Sequence, residues 1–213
     1  MDNKIFIGGF GGVGSRLLPQ IFEKFGLYVG KEISGADGYG RGLTYDFGSS
    51  HFVKLFNIGF HQKDYTLLFE YLNKELKDYN NFAIKHGHFM FIMDEIKKEY
   101  SEAKNIYIMR NPIDAALKLE YKPHYYYGGL PANDLDAKIQ YYIDESIKAC
   151  NNADLVIKYE DLCNDLESEI IKLTKFMGLD SYPIESIIPI KPSSNIGVGK
   201  DLYNKFDLSK LGY

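Results

Sequence analysis

The tightest constraint in this sequence is a run of glycines set between a short apolar segment and an amphipathic one. Residues 4–8, Lys-Ile-Phe-Ile-Gly, read as a buried strand. Gly9-Phe10-Gly11-Gly12-Val13-Gly14-Ser15-Arg16 follows, and a helix is expected from about Ser15, with Leu17, Leu18, Ile21, Phe22 and Phe25 on one face. Pro19 is tolerated because it falls in the first turns. Glycines at a strand-to-helix turn let the backbone bend sharply and approach a ligand, and the N–H groups at the helix start attract an anion. The turn therefore predicts a phosphate or sulfate site. Two chemistries fit it. Gly9-x-Gly11-x-x-Gly14 matches a dinucleotide fingerprint, with Glu32 as the ribose-binding acid, which implies an NAD(P)-dependent oxidoreductase. Gly9-x-x-x-x-Gly14-Ser15-Arg16 is a relative of the P-loop without the lysine that should follow Gly14, which disfavours ATP or GTP hydrolysis. The turn alone leaves both open.

Further along, short apolar strands alternate with helices. Strands are expected at Asn81–Lys85, Lys104–Met109 and Asp154–Tyr159, with Leu27-Tyr28-Val29 as another short one. Tyr65, Leu68, Phe69, Leu72 and Leu76 mark one helix, and Ile139, Ile143, Ile147 and Cys150 another. Asn164 with Glu167 reads as a capping box, and the helix it opens should end at Gly178. This order predicts an α/β fold in three layers, a mainly parallel sheet with helices on both faces and a P-loop-like turn after the first strand. Residues 34–50 hold five glycines and read as a lid. No repeat or linker divides residues 1–213, and 45% apolar residues can fill the core of one domain. A net charge of −4 argues against a general nucleic-acid binder, while leaving room for a local basic pocket. Cys150 and Cys163 fit neither a disulfide framework nor a zinc pattern and read as reduced thiols. No apolar run approaches the roughly 18 residues of a membrane span. Met1-Asp2-Asn3-Lys4 leads straight into the first strand, so a cytoplasmic protein is expected.

Ile106-Tyr107-Ile108-Met109-Arg110-Asn111-Pro112-Ile113-Asp114 places an arginine at the carboxyl end of a strand, the edge at which open α/β sheets bind ligands. Asn111-Pro112 turns the chain, and Asp114 falls in the first turn of a helix. Arg110 there can grip a phosphate with two parallel hydrogen bonds, or else pair with Asp114 at the surface.

With these segments in place, the chain resembles the sulfotransferase family that uses 3′-phosphoadenosine-5′-phosphosulfate (PAPS) and releases 3′,5′-adenosine bisphosphate (PAP). The turn at residues 9–16 is similar to the family's 5′-phosphosulfate loop, and Tyr107 to Lys118 to its 3′-phosphate motif. Val156-Ile157-Lys158-Tyr159-Glu160-Asp161-Leu162, with the helix ending Phe176-Met177-Gly178-Leu179, resembles the strand and helix after the substrate segment. Ile196-Gly197-Val198-Gly199-Lys200 resembles the closing loop. The resemblance implies that Gly11, Gly12, Val13, Gly14, Ser15 and Arg16 bind the 5′ side of the nucleotide. Arg110 and Lys118 would bind the 3′ side, with Tyr159, Gly199 and Lys200 completing the site. Two positions depart from the family. Gly12 stands where a lysine or arginine is usual, leaving Arg16 as the nearby cation, and Lys118 stands where a serine is usual. A non-catalytic nucleotide-binding module is the alternative that Gly12 suggests.

Sulfuryl transfer to a hydroxyl needs a base, charge neutralisation on the moving and departing groups, and in-line alignment; no metal is required. Lys85-His86-Gly87-His88, after a strand expected beside the glycine turn, offers the first two. Either His86 or His88 can be the base, with Lys85 and Arg16 supporting the charge. His51, His61 and His124 read as surface or loop residues. The acceptor, a carbohydrate or small molecule, is expected to meet residues 35–50 or Tyr121 to Leu130, whose tyrosines offer apolar area with a hydroxyl.

Overall fold

The computed structural model describes residues 3–15, 17–30, 50–119, 134–181, 197 and 199–213. Ile5, Phe6 and Ile7 are apolar without alternation, which suits a strand covered on both faces, and strand β1 (Lys4–Gly8) lies inside the sheet. It is flanked by β2 (Phe82–Lys85) and β3 (Lys104–Met109), and β4 (Leu155–Lys158) lies beyond β3. All three pairings are parallel, with Ile7 beside Lys85, Gly8 beside Tyr107 and Met109 beside Lys158. The chain leaves β1 to build β2 on one side and then returns to build β3 on the other. The crevice between the carboxyl ends of β1 and β3 is therefore a topological switch point, where open α/β sheets bind ligands.

The pleat divides the core in two. Ile5 and Ile7 face one apolar layer with Leu18, Ile21 and Phe22 of α1 (Leu17–Lys24), together with side chains of α5 (Pro112–Leu119), α6 (Leu135–Asn152) and α8 (Leu166–Met177). Phe6 and Ile84 face the other, with α2 (Ser50–Gln62), α3 (Thr66–Leu76) and α4 (Met93–Glu99). A short 3₁₀ turn, Gly87–Phe91, follows β2, and α7 (Tyr159–Asn164) follows β4 at once. The chain thus folds as the expected α/β architecture, a parallel sheet with helices on both faces.

Local details differ from expectation. Leu27-Tyr28-Val29 reaches the sheet through a single parallel bridge, Tyr28 to Phe82. The helix after the glycine turn starts at Leu17 rather than Ser15. Asn164 is the last residue of α7, so the cap of α8 falls one residue later: the Asp165 carboxylate accepts the Ser168 N–H at 3.1 Å. Gly178 does end that helix, in the left-handed conformation at φ 72°. The periodicity of Phe52, Phe56 and Phe60 marks α2, a helix the sequence reading did not anticipate.

Phe6 joins the second apolar layer to the central strand. Its fully buried ring meets Phe82 and Phe89 edge-on at 5.4 and 5.3 Å and lies along Tyr100 at 5.3 Å. Phe6→Ala is expected to cost about 3–5 kcal/mol of unfolding free energy, read from the shift in denaturant midpoint.

Candidate functional site

The glycine turn leaves β1 at the switch point. Gly12 and Gly14 take φ of 78° and 75°, the left-handed region that favours glycine. Gly14 also touches Tyr159, the first residue of α7. A Cβ built on Gly14 would lie 2.1 Å from Cε2 of that ring, so only a residue without a side chain fits. The Leu17 N–H donates to the Gly14 carbonyl at 3.1 Å and closes the turn into α1. Val13 and Ser15 are buried, and Gly11 and Gly12 are half-buried. Arg16 lies outside the described residues, as does Glu32.

Arg110 leaves β3 across the crevice. Its side chain is fully buried, and among the described residues none of its three guanidinium nitrogens finds a hydrogen-bond partner. Asp114 Oδ2 is 4.0 Å from Nη2, a charge pair beyond hydrogen-bond reach, so the pairing is internal rather than the surface contact considered from sequence. The guanidinium carbon lies 5.6 Å from the centre of the Tyr159 ring. One aromatic ring therefore separates the glycine turn from the buried cation.

Asp114 is itself strongly held. It accepts N–H donors from Gly197 at 2.6 Å and Gly199 at 3.1 Å, and the Tyr203 hydroxyl at 3.0 Å. That brings Gly197 and Gly199 against the helix that follows Arg110, and Gly199 is buried. Lys200 is exposed. Lys118 sits in α5, but its side chain is outside the described residues. Asn111 caps α5, its Oδ1 accepting from Ile113 N at 3.0 Å and Asp114 N at 3.4 Å. Its own N–H donates to Glu160 Oε1 at 2.9 Å, and Glu160 Oε2 accepts the Tyr213 hydroxyl at 2.9 Å. Lys158 Nζ donates to the Gly212 carbonyl at 2.8 Å and lies 4.6 Å from the Tyr213 ring centre. Glu160, Tyr203 and Tyr213 were given no role from sequence. Their contacts span 49 to 89 residues, and no local pattern announces them.

Lys85 ends β2 and is buried in register with Ile7, which puts it on the sheet face covered by α1. His86 and His88 occupy the opposite face. The strand stops at Lys85 and the 3₁₀ turn begins, yet the two imidazoles lie side by side, ring centres 4.6 Å apart and 10° from parallel. Phe52 packs on His86 at 4.4 Å and Phe56 on His88 at 4.1 Å, two residues one helical turn apart on α2. His86 Nδ1 accepts the His88 backbone N–H at 3.2 Å. Burial, and secondarily the Lys85 charge, push the His86 pKa from 6.5 down to about 3, so the ring is neutral at pH 7.

His51 and His61 are exposed, as expected. The expected lid at residues 34–50 lies outside the description up to residue 49, and so do His124 and the tyrosines of Tyr121 to Leu130. Cys150 and Cys163 are free thiols. Among the described residues no helix is long and apolar enough to cross a membrane.

No protein-family model matches this chain, and no curated protein matches it. Solved structures do. A mouse sulfotransferase, SULT7A1, complexed with PAP, superposes with a TM-score of 0.52 at 19% identity, over 87% of this chain and 62% of the mouse chain. Sulfotransferase STF1 of Mycobacterium tuberculosis gives 0.58 at 11% identity, covering 100% of this chain and 74% of that one. A sulfotransferase from Alicyclobacillus acidocaldarius gives 0.51 at 14% identity, over 99% and 94%. The chain spans under two thirds of the mouse protein's length. At these identities the likeness is one of fold: a P-loop-like α/β fold shared with solved sulfotransferases.

The His86 shift carries a pH dependence. The unfolded chain takes up this proton first, so the ring's stabilising contribution is present above pH 6.5 and is lost as pH falls from there toward about 3. Urea denaturation at neutral and mildly acid pH should therefore show a smaller acid-induced loss of stability in His86→Asn than in the wild type.

Proposed function

We propose that the chain is a sulfotransferase that moves the sulfuryl group of PAPS to a hydroxyl on a carbohydrate or small molecule. The observation that carries this reading is the fully buried Arg110 guanidinium, given no hydrogen bond by the described residues, with the Tyr159 ring between it and the glycine turn after β1. Two anion positions divided by one aromatic ring suit a nucleotide with a phosphate at each end of its ribose. A buried guanidinium gains most from a partner that accepts its parallel N–H donors, and a phosphate does so.

When bound, PAPS supplies an activated sulfuryl group with a phosphate as leaving group. In this reading the N–H groups of Gly11 to Arg16 hold the 5′ side. Arg110 and Lys118 hold the 3′-phosphate, and Gly199 and Lys200 close over it from the segment anchored on Asp114. Lys85, on the α1 face of the sheet, neutralises charge on the leaving phosphate, with Arg16 as the second cation. The base is one of the two paired imidazoles, His86 or His88, on the opposite face, where the apolar wall of Phe52 and Phe56 suits an organic acceptor. The acceptor's O–H bond breaks toward an imidazole nitrogen as its oxygen bonds to sulfur and the sulfur–oxygen bond to the leaving phosphate breaks.

The second reading, a nucleotide-binding module without turnover, is favoured by Gly12. Its φ of 78° strains any residue bearing a Cβ, so this turn does not readily accept the cation that the family resemblance would put there.

Arg110→Ala should weaken PAP by roughly 10- to 150-fold, from about 1.5–3 kcal/mol for charged hydrogen bonds, while adenosine 5′-phosphate binding barely changes. Lys118→Ala should show the same selectivity more weakly. Calorimetry with both nucleotides decides it, and equal losses for the two would remove the 3′-phosphate assignment. Lys85→Ala should lower sulfotransfer strongly and leave PAP bound. A wild type that binds PAP but sulfates no acceptor in a broad panel would leave the second reading standing, and stabilisation by NAD but not PAP would favour the dinucleotide alternative.

A further inference from the structure

Taking from the sulfotransfer reading only what the base is for, we propose that His86 is a positioning residue: it holds His88 in the tautomer protonated at Nδ1, so that His88 Nε2 is the ring nitrogen that receives the acceptor's proton. The contacts between the two residues force the assignment. The backbone N–H of His88 can only donate, and it reaches His86 Nδ1 at 3.2 Å. That nitrogen therefore carries a lone pair. His88 Nδ1 lies 2.9 Å from the same atom. Two lone pairs at that distance would repel each other, so the proton between the rings belongs to His88. A neutral imidazole has one N–H and one acceptor nitrogen. With His88 protonated at Nδ1, its Nε2 holds the lone pair, and His86 carries its own proton at Nε2.

The two histidines, equivalent by sequence spacing, thus have different chemistry. His86 keeps its proton on Nε2 and has its acceptor engaged twice, once by the His88 amide and once by the His88 ring. It cannot take a proton without losing both contacts. The low His86 pKa agrees with this, since burial and the Lys85 charge keep the ring neutral. Packing supports the pair: Phe52 and Phe56, four residues apart on α2, each cover one ring. His86 also caps the 3₁₀ turn in which His88 stands, so its acceptor fixes both the backbone and the ring of the second histidine.

Nitrogen-detected NMR of the wild-type imidazoles at neutral pH tests the tautomer without any turnover. His88 should show a protonated Nδ1 and an unprotonated Nε2, and His86 the reverse. A protonated Nε2 on His88, or a protonated Nδ1 on His86, overturns the proposal. Two variants separate positioning from folding. His86→Asn keeps an acceptor near the former Nδ1, and should preserve the His88 pattern. His86→Leu removes it, and His88 should lose its fixed tautomer. If His88 keeps the same tautomer in a folded His86→Leu, His86 does not set it and the proposal fails. His88→Asn, which retains a donor toward His86 but has no Nε2, should lower turnover by about 10²–10⁴-fold. Unchanged turnover there would overturn the base role of His88. A wild-type spectrum with the expected pattern in a protein that transfers no sulfate would leave the tautomer assignment supported and refute the sulfotransfer reading alone.

Discussion

A buried positive charge, given no hydrogen bond by the described residues, sits at the carboxyl edge of the sheet, and much of the surrounding structure is arranged around it. Removing a guanidinium from water costs on the order of several kcal/mol unless other groups compensate. The Arg110 side chain has one carboxylate 4.0 Å away and one aromatic face 5.6 Å away. Asp114 balances the charge without saturating the donors. It can do so because its own oxygens are held elsewhere, by the N–H groups of Gly197 and Gly199 and the Tyr203 hydroxyl. The same carboxylate that answers the arginine thereby fastens Gly197, Gly199 and Tyr203 to the start of α5.

Tyr159 ties this charge to the glycine turn. It starts α7 directly after β4, so its ring position is set by the sheet, and Gly14 leaves just the space the ring occupies. The two faces of the sheet then divide the remaining labour. Lys85 follows the pleat toward α1 and the turn, whereas the histidine pair follows it toward the aromatic side chains of α2. A single residue step past the end of β2 separates a cation on the α1 face from imidazoles on the α2 face.

What could be read from the sequence was what is encoded locally. The turn after β1, the arginine ending β3 and the left-handed stop at Gly178 each depend on neighbours within a few residues, and each stands where the pattern put it. The parallel sheet followed from strand and helix alternation. The cap of α8 slipped by one residue because Asn164 and Asp165 are both good caps, and the end of α7 decides between them. Distant contacts left no trace in the local pattern. Glu160 holds the Asn111 N–H, Tyr213 holds Glu160, and Phe52 and Phe56 order the two histidines, all across separations that periodicity does not encode. The hydrogen bond that distinguishes His86 from His88 depends on the chain leaving extended geometry after Lys85, and residue spacing alone leaves the two histidines equivalent.

The strand order also bears on how the chain is made. β1 precedes its two sheet neighbours in the chain and is an inner strand of the sheet, with Lys4 beside Phe82 and Ile5 beside Lys104. At about 5–20 residues per second, the ribosome takes on the order of 5–20 s to deliver the second of these partners. Until β2 has been made, Ile5-Phe6-Ile7, apolar on both faces, has neither neighbour. Two long loops must then close before the sheet gains its central pairings, which places this topology among the slower folders of its size. The glycines directly after Ile7 interrupt the apolar run. They keep the exposed nascent segment short, in a place where a longer β-prone stretch would invite pairing between unfinished chains.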